Sequence, residues 1–333
     1  MRKIAGILLI ISAFLLTSCT KAPEKSEEYF FAMDTYMKIE AYGESAPNAV
    51  SQARARVEAL EKLWSATDEN SEIYAINHGE NPVLSAETLD LLSFILEMSA
   101  KTGGAFDATI YPVLTAWGFT TDEHRVPDES ELAGLLEKVG YEKVSADGNK
   151  ISLKQGMMLD FGGAAKGWAS DECTKIMRES GVQSALINLG GNVYALGKRY
   201  DGNLWRIGVA DPLDENFTEN VGIISVSDRA VVTSGNYQRY FTQDGKTYGH
   251  IIDPKTGYPA DNDLLSVTIV AEEGKLCDAL STALFVMGRE QAEEFWRENG
   301  GFEMILIDKN GGIFVTAGIA ENFTSDRTFS VIN

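Results

Sequence analysis

The sequence predicts an α+β fold. Helical and strand periodicities both recur along the chain, but without the regular strand–helix–strand rhythm of a doubly wound sheet. Helical patterns dominate the first half, whereas short strand patterns dominate from about residue 205 onward. The composition, with 44% hydrophobic and 23% charged residues, is typical of a globular protein. A length of 333 residues suits one large domain or two modest ones.

The first half combines strands with amphipathic helices. Pro47 lies near the start of a run whose apolar residues recur at helical spacing as far as Trp64. Asp128, followed three residues later by Glu131, has the pattern of a capped helix start. The expected elements are a strand at 36–42, helices at 49–64, 85–101 and 128–140, strands at 150–153 and 157–161, a helix at 165–179 and a strand at 184–189.

The second half is predicted to be rich in strands. Asn310-Gly311 between two apolar runs is a hairpin signal. The expected elements are strands at 205–209, 221–227, 230–233, 238–242 and 264–271, helices at 276–287 and 290–299, and strands at 303–308 and 313–317.

The N-terminus predicts export and a lipid anchor on a bacterial membrane. Arg2 and Lys3 precede an apolar run, residues 4–16, that is too short to span a bilayer comfortably. The run ends in Leu-Thr-Ser-Cys, which resembles a bacterial lipobox, so we expect a signal peptide at 1–18 and a lipid on Cys19. A plain secretory signal and a single anchor helix are the alternatives. The polar segment 19–28 is expected to be a flexible tether that leads into one domain at 29–333.

The charge of the chain restricts its partners. The net charge is −20, and removal of residues 1–18, with two basic and no acidic residues, would make it about −22. Such a surface repels nucleic acid and anionic lipid, so we expect no nucleic-acid partner. Attachment to a membrane would then depend on acyl chains rather than on a basic patch.

Several familiar kinds of site are absent from the sequence. No GxGxxG pattern supports a Rossmann nucleotide site, and Tyr240 stands where a Walker A loop ending at Thr247 needs glycine. Only three histidines are present, none at zinc-ligand spacing. After Cys19, two cysteines remain, Cys173 and Cys277, which are either a disulfide or two buried thiols.

Five short segments combine small residues with chemically active ones. The segment 160–167, DFGGAAKG, leaves a predicted strand and enters a predicted helix, whose N-terminus attracts anions. Asp278 and Thr282 are four residues apart on a helix, so they share one face and form a hard-oxygen pair suited to Mg²⁺. Asp278 could instead cap its helix. The other segments are GGAFDAT at 103–109, TSG at 233–235 and HIIDP at 250–254.

Taken together, these segments resemble the ApbE family, the FAD:protein FMN transferases. The resemblance covers nearly all of residues 29–328 and includes one departure, since Asp34 stands where the family usually has the glycine of Met-Gly-Thr. The motifs that carry it, in order, are MDT at 33–35, SEI at 71–73, GAFDAT at 104–109, WGF at 117–119, DFGGAAKG with Asp171, INLGGN at 187–192, TSG, HIIDP with TG at 256–257, and DALST at 278–282.

The resemblance implies a T-fold-like α+β structure, with mixed sheets flanked by helices, that binds FAD and one or two Mg²⁺ ions. It implies that the metal is held by the backbone carbonyl of Gly163 and the side chains of Asp278 and Thr282. The implied FAD contacts are Met33, Ala105, Phe106, Asp107, Asp160, Lys166, His250 and Ile251.

The implied reaction is transfer of FMN from FAD to a threonine of another protein, with release of AMP. His250 is the candidate general base, because imidazole titrates near neutral pH, and Asp253 is the reserve. Lys166 is expected to assist near the phosphates. The implied acceptors are exported flavoproteins such as subunits of membrane redox pumps. Two alternatives are an Mg²⁺-dependent FAD pyrophosphatase that yields FMN and AMP, and a flavin-binding lipoprotein without catalytic activity.

Overall fold

The structure is a computed structural model that describes residues 23–333 except positions 122, 215, 217 and 238. The helices in this part of the chain are α1 Ala46–Trp64, α2 Glu72–Asn77, α3 Ala86–Lys101, α4 Tyr111–Trp117, α5 Glu129–Leu136, α6 Gly162–Glu179, α7 Gly274–Met287 and α8 Arg289–Asn299. The strands are β1 Lys25–Ala32, β2 Thr35–Tyr42, β3 Ser145–Asp147, β4 Lys150–Ser152, β5 Ser184–Leu189, β6 Asn192–Leu196, β7 Trp205–Ala210, β8 Asn220–Val226, β9 Arg229–Gly235, β10 Tyr240–Gln243, β11 Lys246–Gly249, β12 Leu264–Ala271, β13 Glu303–Asp308, β14 Ile313–Thr316, β15 Phe323–Thr324 and β16 Ser330–Ile332.

A nine-stranded sheet forms the centre of the fold. Its strand order is β1-β2-β5-β6-β9-β12-β13-β14-β16, and every neighbouring pair is antiparallel except β14–β16. Helices α1, α6 and α7 pack on one face and enclose the largest hydrophobic core. The smaller sheet β15-β8-β7 covers part of the other face and encloses a second core. The fold is therefore three layers, helix–sheet–sheet, which bury the apolar face of each element.

Helices α6 and α7 cross at a pair of glycines. A Cβ on Gly167 would lie 2.3 Å from the carbonyl oxygen of Gly274, so the two backbones meet with no room for a side chain. Beside the crossing, the Asp171 carboxylate of α6 accepts hydrogen bonds from the backbone N–H groups of Gly274 (2.6 Å) and Lys275 (3.0 Å). Asp171 thus caps the N-terminus of α7 from the neighbouring helix, which holds the two helices in register.

The α+β class is confirmed, and most predicted elements occur close to their expected positions. One predicted strand is wrong: residues 157–161 have no ladder partner in the described structure. The side chain of Asn77 bonds both backbone groups of Leu159, at 2.6 Å and 2.8 Å, and Asp160 N–H donates to Ala108 O at 2.8 Å. These partners satisfy the backbone without a sheet.

The largest differences in boundaries concern the third predicted helix and the predicted tether. The third predicted helix ends at Leu136 rather than Gly140. Strand β1 begins at Lys25 and pairs with β2, so residues 25–28 are part of the domain rather than of the predicted tether. Lys25 forms ion pairs with Glu27 and Glu40 that reinforce this pairing. The signal peptide 1–18 and Cys19 lie outside the described residues.

The two remaining cysteines are both buried free thiols, which confirms the second of the two alternatives. Burial raises the pKa of Cys173 and Cys277 well above the usual range of a thiol, so both stay protonated at neutral pH. None of the helices in the described part of the chain is both long and apolar enough to cross a bilayer.

Candidate active site

The predicted site residues converge on one cavity of about 780 Å³. Its walls come from the β1–β2 turn, the start of α6, one side of α7, the end of β9 and the segment after β11. The size is in the range of pockets that bind nucleotide-sized ligands. The predicted residues that line it are Met33, Ala105, Phe106, Asp107, Asp160, Gly163, Lys166, His250, Ile251, Asp278 and Thr282.

The N-terminus of α6 forms one wall. Gly162 N–H donates to Asp160 Oδ1 at 3.0 Å, and the Lys166 ammonium donates to the Gly162 carbonyl at 3.1 Å. A Cβ on Gly163 would lie 2.7 Å from the buried Phe106 ring, so only glycine allows the ring and the helix start to touch. The N–H groups of Ala164 and Ala165 donate to Phe161 O, so the positive end of the helix dipole and the Lys166 ammonium are what favour an anionic ligand such as phosphate here.

Asp278 links α7 to α6 at the cavity wall. Its side chain is buried, and Oδ2 accepts from the backbone N–H of Gly167 at 2.9 Å. In a regular helix that N–H would point at the carbonyl of Gly163, four residues earlier. Asp278 therefore competes with the Gly163 carbonyl for the Gly167 N–H. The Gly163 carbonyl is the one that was predicted to ligate metal. The alternative role of Asp278 as a helix cap does not hold, because Asp171 caps α7.

The oxygen atoms at this corner fit a hard divalent cation. Within the described residues, Asp278 has no lysine, arginine or histidine as an ion-pair partner, and a buried carboxylate needs a compensating positive charge. The Thr282 hydroxyl lies on the same side of α7 and is 3.4 Å from the Ser234 hydroxyl. The described residues contain no group of three or more His, Cys, Asp or Glu arranged to hold a metal. A cation here would need one carboxylate, neutral oxygens and ligand oxygens, a set that suits Mg²⁺.

Asp107 is held by its own chain. Its Oδ1 accepts from the N–H and hydroxyl of Thr109, at 2.8 Å and 2.7 Å, and Oδ2 accepts from Tyr141 N–H at 2.9 Å. Burial raises the pKa of Asp107, and these three donors lower it in part. The structure therefore gives this carboxylate a positioning role for the loop that presents Ala105 and Phe106 to the cavity.

His250 reaches the cavity from the end of the β10–β11 hairpin. Burial, with the positive charges of Arg239 and Lys166, lowers the pKa of its imidazole to about 4. Nδ1 lies 3.2 Å from the Arg239 carbonyl, which can only accept, so neutral His250 carries its proton on Nδ1. Its Nε2 lone pair is consequently available to accept a proton.

Asp253 is not among the residues that line the cavity. Its carboxylate accepts from Lys255 N–H at 2.9 Å and from the Thr256 hydroxyl at 3.3 Å, within its own turn. This arrangement stabilises the turn and leaves the structure without support for Asp253 as the reserve base.

Asp34 preserves the turn in which the family usually has glycine. Met33 and Asp34 have φ values of 47° and 58°, and they form the two-residue loop between β1 and β2. Positive φ at both positions is the type I′ hairpin geometry, which aspartate tolerates better than most residues. Met33 N–H donates to Glu61 Oε1 at 2.6 Å, which fixes the turn to α1. Asp34 therefore adopts a left-handed conformation of the kind that glycine favours.

Arg239 and Asn192 are among the polar residues of the cavity that received no role from the sequence. Arg239 lines the cavity beside His250, where its positive charge adds to the effect of burial in lowering the pKa of His250. Burial raises the pKa of Asp160, and the Arg239 charge offsets part of that rise. Asn192 is 2% exposed, and neither amide atom of its side chain has a hydrogen-bond partner within the described residues. A lone arginine in a loop carries no pattern that could have identified it. Asn192 belongs to the segment INLGGN, which contributes to the family resemblance but predicts no role for the asparagine.

Comparisons with known proteins agree with this architecture. The family model described as the ApbE family matches residues 33–306. A FAD:protein FMN transferase of Treponema pallidum is 33% identical, over 86% of this chain and 85% of that protein. One of Klebsiella pneumoniae is 32% identical, over 89% and 93% respectively. The crystal structure of the ApbE protein of Thermotoga maritima superimposes with a TM-score of 0.82 at 32% identity, covering 90% of this chain and 99% of that one. The family match and the two relatives above 30% identity show that the chain belongs to the ApbE family.

Proposed function

We propose that this protein transfers FMN from FAD to a threonine hydroxyl of an acceptor protein, in a reaction that depends on Mg²⁺. The observation that carries the proposal is one cavity in which an anion-attracting helix start lies beside an uncompensated buried carboxylate. Membership of the ApbE family, whose curated relatives bear the name FAD:protein FMN transferase, supports the same reaction.

In the proposed reaction, the threonine Oγ forms a bond to the phosphorus on the riboflavin side of the FAD pyrophosphate. The bond from that phosphorus to the bridging oxygen breaks, and AMP leaves with that oxygen. Gly163, Asp278 and Thr282 would hold Mg²⁺, which when bound neutralises negative charge on the pyrophosphate. The positive end of the α6 dipole, with Lys166, would orient the phosphates.

His250 would accept the proton of the threonine. Because its pKa is lowered to about 4, the imidazole is neutral at pH 7 and its Nε2 can take a proton. Phosphate charge near the ring favours the protonated form, which raises the basicity of His250 when FAD is bound. The hydrogen bond from Nδ1 to Arg239 O keeps the ring in one orientation during the transfer.

One assay separates this function from its alternatives. Purified protein is incubated with FAD, Mg²⁺ and total protein of the source organism, and products are resolved on a denaturing gel and by chromatography. A fluorescent band whose FMN maps to a threonine by mass spectrometry, together with AMP, is the expected result. Release of AMP and free FMN without a band would establish a pyrophosphatase instead. Tight FAD binding without AMP would establish a flavin-binding protein.

We further propose that the protein is exported and anchored to a bacterial membrane through a lipid on Cys19. The lipobox-like segment 16–19 supports this, and β1 begins at Lys25. Six residues from Cys19 to Glu24 reach at most about 20 Å, so the domain would lie close to the membrane. Exported flavoproteins, such as subunits of membrane redox pumps, are then the proposed acceptors. Cys19→Ala should abolish metabolic labelling by fatty acid and release the protein from membranes. Unchanged labelling in that variant would contradict the anchor.

A further inference from the structure

An open strand edge runs to the mouth of the cavity. Strand β1 is the first strand of the nine-stranded sheet and pairs only with β2 in the described structure. It ends at Ala32, and the next two residues, Met33 and Asp34, line the cavity. A polypeptide laid along this edge would therefore be led to the place where FAD is proposed to bind.

The register shows which backbone groups of β1 face outward. Gly43 N–H donates to Glu24 O, so this pair is a hydrogen-bonded one. Hydrogen-bonded pairs alternate along an antiparallel ladder, so the even-numbered residues of β1 bond to β2. The N–H and C=O groups of Glu27, Tyr29 and Phe31 then point away from the sheet. None of them has a backbone partner among the described residues.

Exposed aromatic side chains accompany this edge near the cavity. Tyr29 is 66%, Phe31 59% and Tyr36 83% exposed, on the face opposite to buried Phe30 and Ala32. The Phe31 and Tyr36 rings meet edge to face, with centroids 5.3 Å apart, and Phe31 also lines the cavity. Large exposed aromatic groups that touch one another mark interaction surfaces rather than ordinary solvent-facing positions.

The geometry points to one occupant: we propose that the acceptor protein binds as an extended segment that adds a strand to the edge of β1 and carries its threonine into the cavity. This proposal rests on the proposed transferase function. The acceptor must be a polypeptide, and its threonine must reach a phosphorus inside a cavity. In strand addition, main-chain hydrogen bonds bind the extended backbone of the partner. The exposed aromatic side chains would then determine which partner side chains fit on their face of the sheet.

Charge along the strand indicates the chemistry of that segment. Lys25, Glu27, Lys38 and Glu40 form an ion-pair network that runs from the end of the hairpin far from the cavity as far as Tyr29, whose ring centroid lies 5.4 Å from the Lys38 ammonium. The stretch of β1 nearest to the cavity, Phe31 and Ala32, carries no charged side chain. The residues that lie against this stretch should therefore be small or apolar, whereas residues further from the threonine can be charged.

The test uses a peptide of about twelve residues, a length that covers the edge of β1. Its sequence is that around the flavinylated threonine mapped in the assay above, and the full-length protein is the enzyme. Tyr29→Pro removes the outward N–H of Tyr29, which makes no bond to β2, and blocks strand addition. We expect at least a tenfold rise in KM for the peptide, with unchanged AMP release from FAD when no acceptor is present. The double variant Tyr29→Ser with Tyr36→Ser, which keeps the backbone donor, should raise KM less. Leu213→Ser, which removes an exposed apolar side chain outside the β1–β2 hairpin, should leave KM unchanged.

The possible failures are distinct. Absence of any covalent flavin with wild-type protein contradicts the proposed function itself. Transfer to the whole acceptor but not to the peptide overturns the docking proposal alone, as does an unchanged KM in a folded Tyr29→Pro variant. If the melting temperature shows that Tyr29→Pro does not fold, the double serine variant is used instead. An unchanged KM for the peptide in the double variant would then overturn the docking proposal. A wild-type dimer that Tyr29→Pro converts to monomer in light scattering would assign the edge to a second copy of the chain and overturn the proposal as well.

Discussion

The α6–α7 crossing and the β10–β11 hairpin both supply residues to the cavity, but they are held in different ways. At the crossing, Gly167 meets Gly274 backbone to backbone, and two carboxylates tie the helices together. The hairpin is a separate two-stranded sheet that brings His250 to the cavity. It is attached through aromatic packing, in which Trp117 lies 5.2 Å from Tyr248 between ring centroids. The proposed metal corner is therefore fixed by backbone contact, whereas the proposed base depends on side-chain packing.

We expect loss of the Asp278 charge at the α6–α7 crossing to reduce activity more than any change at the β10–β11 hairpin. Asp278→Asn keeps an oxygen that can accept from Gly167 N–H, so the helix crossing should persist. The charge that would bind Mg²⁺ is lost, and we expect turnover of FAD to fall by about 10³-fold. The melting temperature of wild-type protein should rise with added Mg²⁺, and that of the variant should not. Wild-type turnover in the variant would show that Asp278 holds no metal.

His250 offers the matching test on the hairpin. His250→Asn should lower kcat by about 10²-fold, because a general base contributes about 10² to 10⁴ in rate. The KM for FAD should change little, since Lys166 and the α6 N-terminus would still bind the phosphates. Asp253→Asn is the control, because that carboxylate lies outside the cavity lining, and its kcat should match that of wild-type protein.

The same histidine predicts a pH dependence of stability. Folding lowers the pKa of His250 from 6.5 to about 4. Between these two pH values, the unfolded chain therefore binds a proton on His250 that the folded protein does not bind. The stability due to neutral His250 is thus fully present above pH 6.5 and declines as the pH falls toward 4. Denaturant titrations at several pH values should show this decline in wild-type protein and a smaller one in His250→Asn. Equal slopes in the two proteins would contradict burial of the neutral ring.

The same contrast explains how much of the site could be predicted from the sequence. DFGGAAKG and DALST mark the crossing because close backbone approach requires small residues, and small residues leave a visible pattern. Arg239 leaves no such pattern, because it enters the cavity only through the path of a separate hairpin. Asp107 was predicted as a flavin contact, whereas the hydrogen bond that it accepts from Tyr141 N–H, 34 residues away, depends on tertiary structure and leaves no local pattern.

The fold shows the same limit. Strand β12 has the predicted bounds, because its apolar run is buried on both sides within the sheet. Residues 157–161 also look like a strand in composition, but Asn77, 82 residues before Leu159, takes both backbone hydrogen bonds of Leu159. No local pattern distinguishes an extended segment that pairs with a strand from one that pairs with a side chain.

Gly167→Ala should test the backbone contact of the crossing directly. The new methyl group would lie 2.3 Å from Gly274 O, so the helices must separate, and we expect a loss of about 1–3 kcal/mol in the free energy of unfolding. Activity should fall as well, because Gly167 N–H positions Asp278. Gly134→Ala in α5 is the matched control, since its Cβ would meet nothing within 4 Å and should stabilise the helix by about 0.5–1 kcal/mol. Chemical denaturation measures both changes, and an equal gain in the two variants would refute the tight crossing.

The smallest expected effect concerns two hairpin turns with aspartate in the left-handed conformation. Asp34 has φ 58° beside the cavity, and Asp244 has φ 53° at the tip of β10–β11. Glycine adopts this conformation without the penalty of about 1–2 kcal/mol that a side chain incurs, although its greater freedom when unfolded offsets part of the gain. Asp34→Gly and Asp244→Gly should therefore each change stability by less than about 1 kcal/mol, in the stabilising direction. If Asp34→Gly also leaves FAD turnover unchanged, the turn acts through its backbone alone. A tenfold loss of turnover confined to Asp34→Gly would instead assign the Asp34 carboxylate a direct part in the cavity.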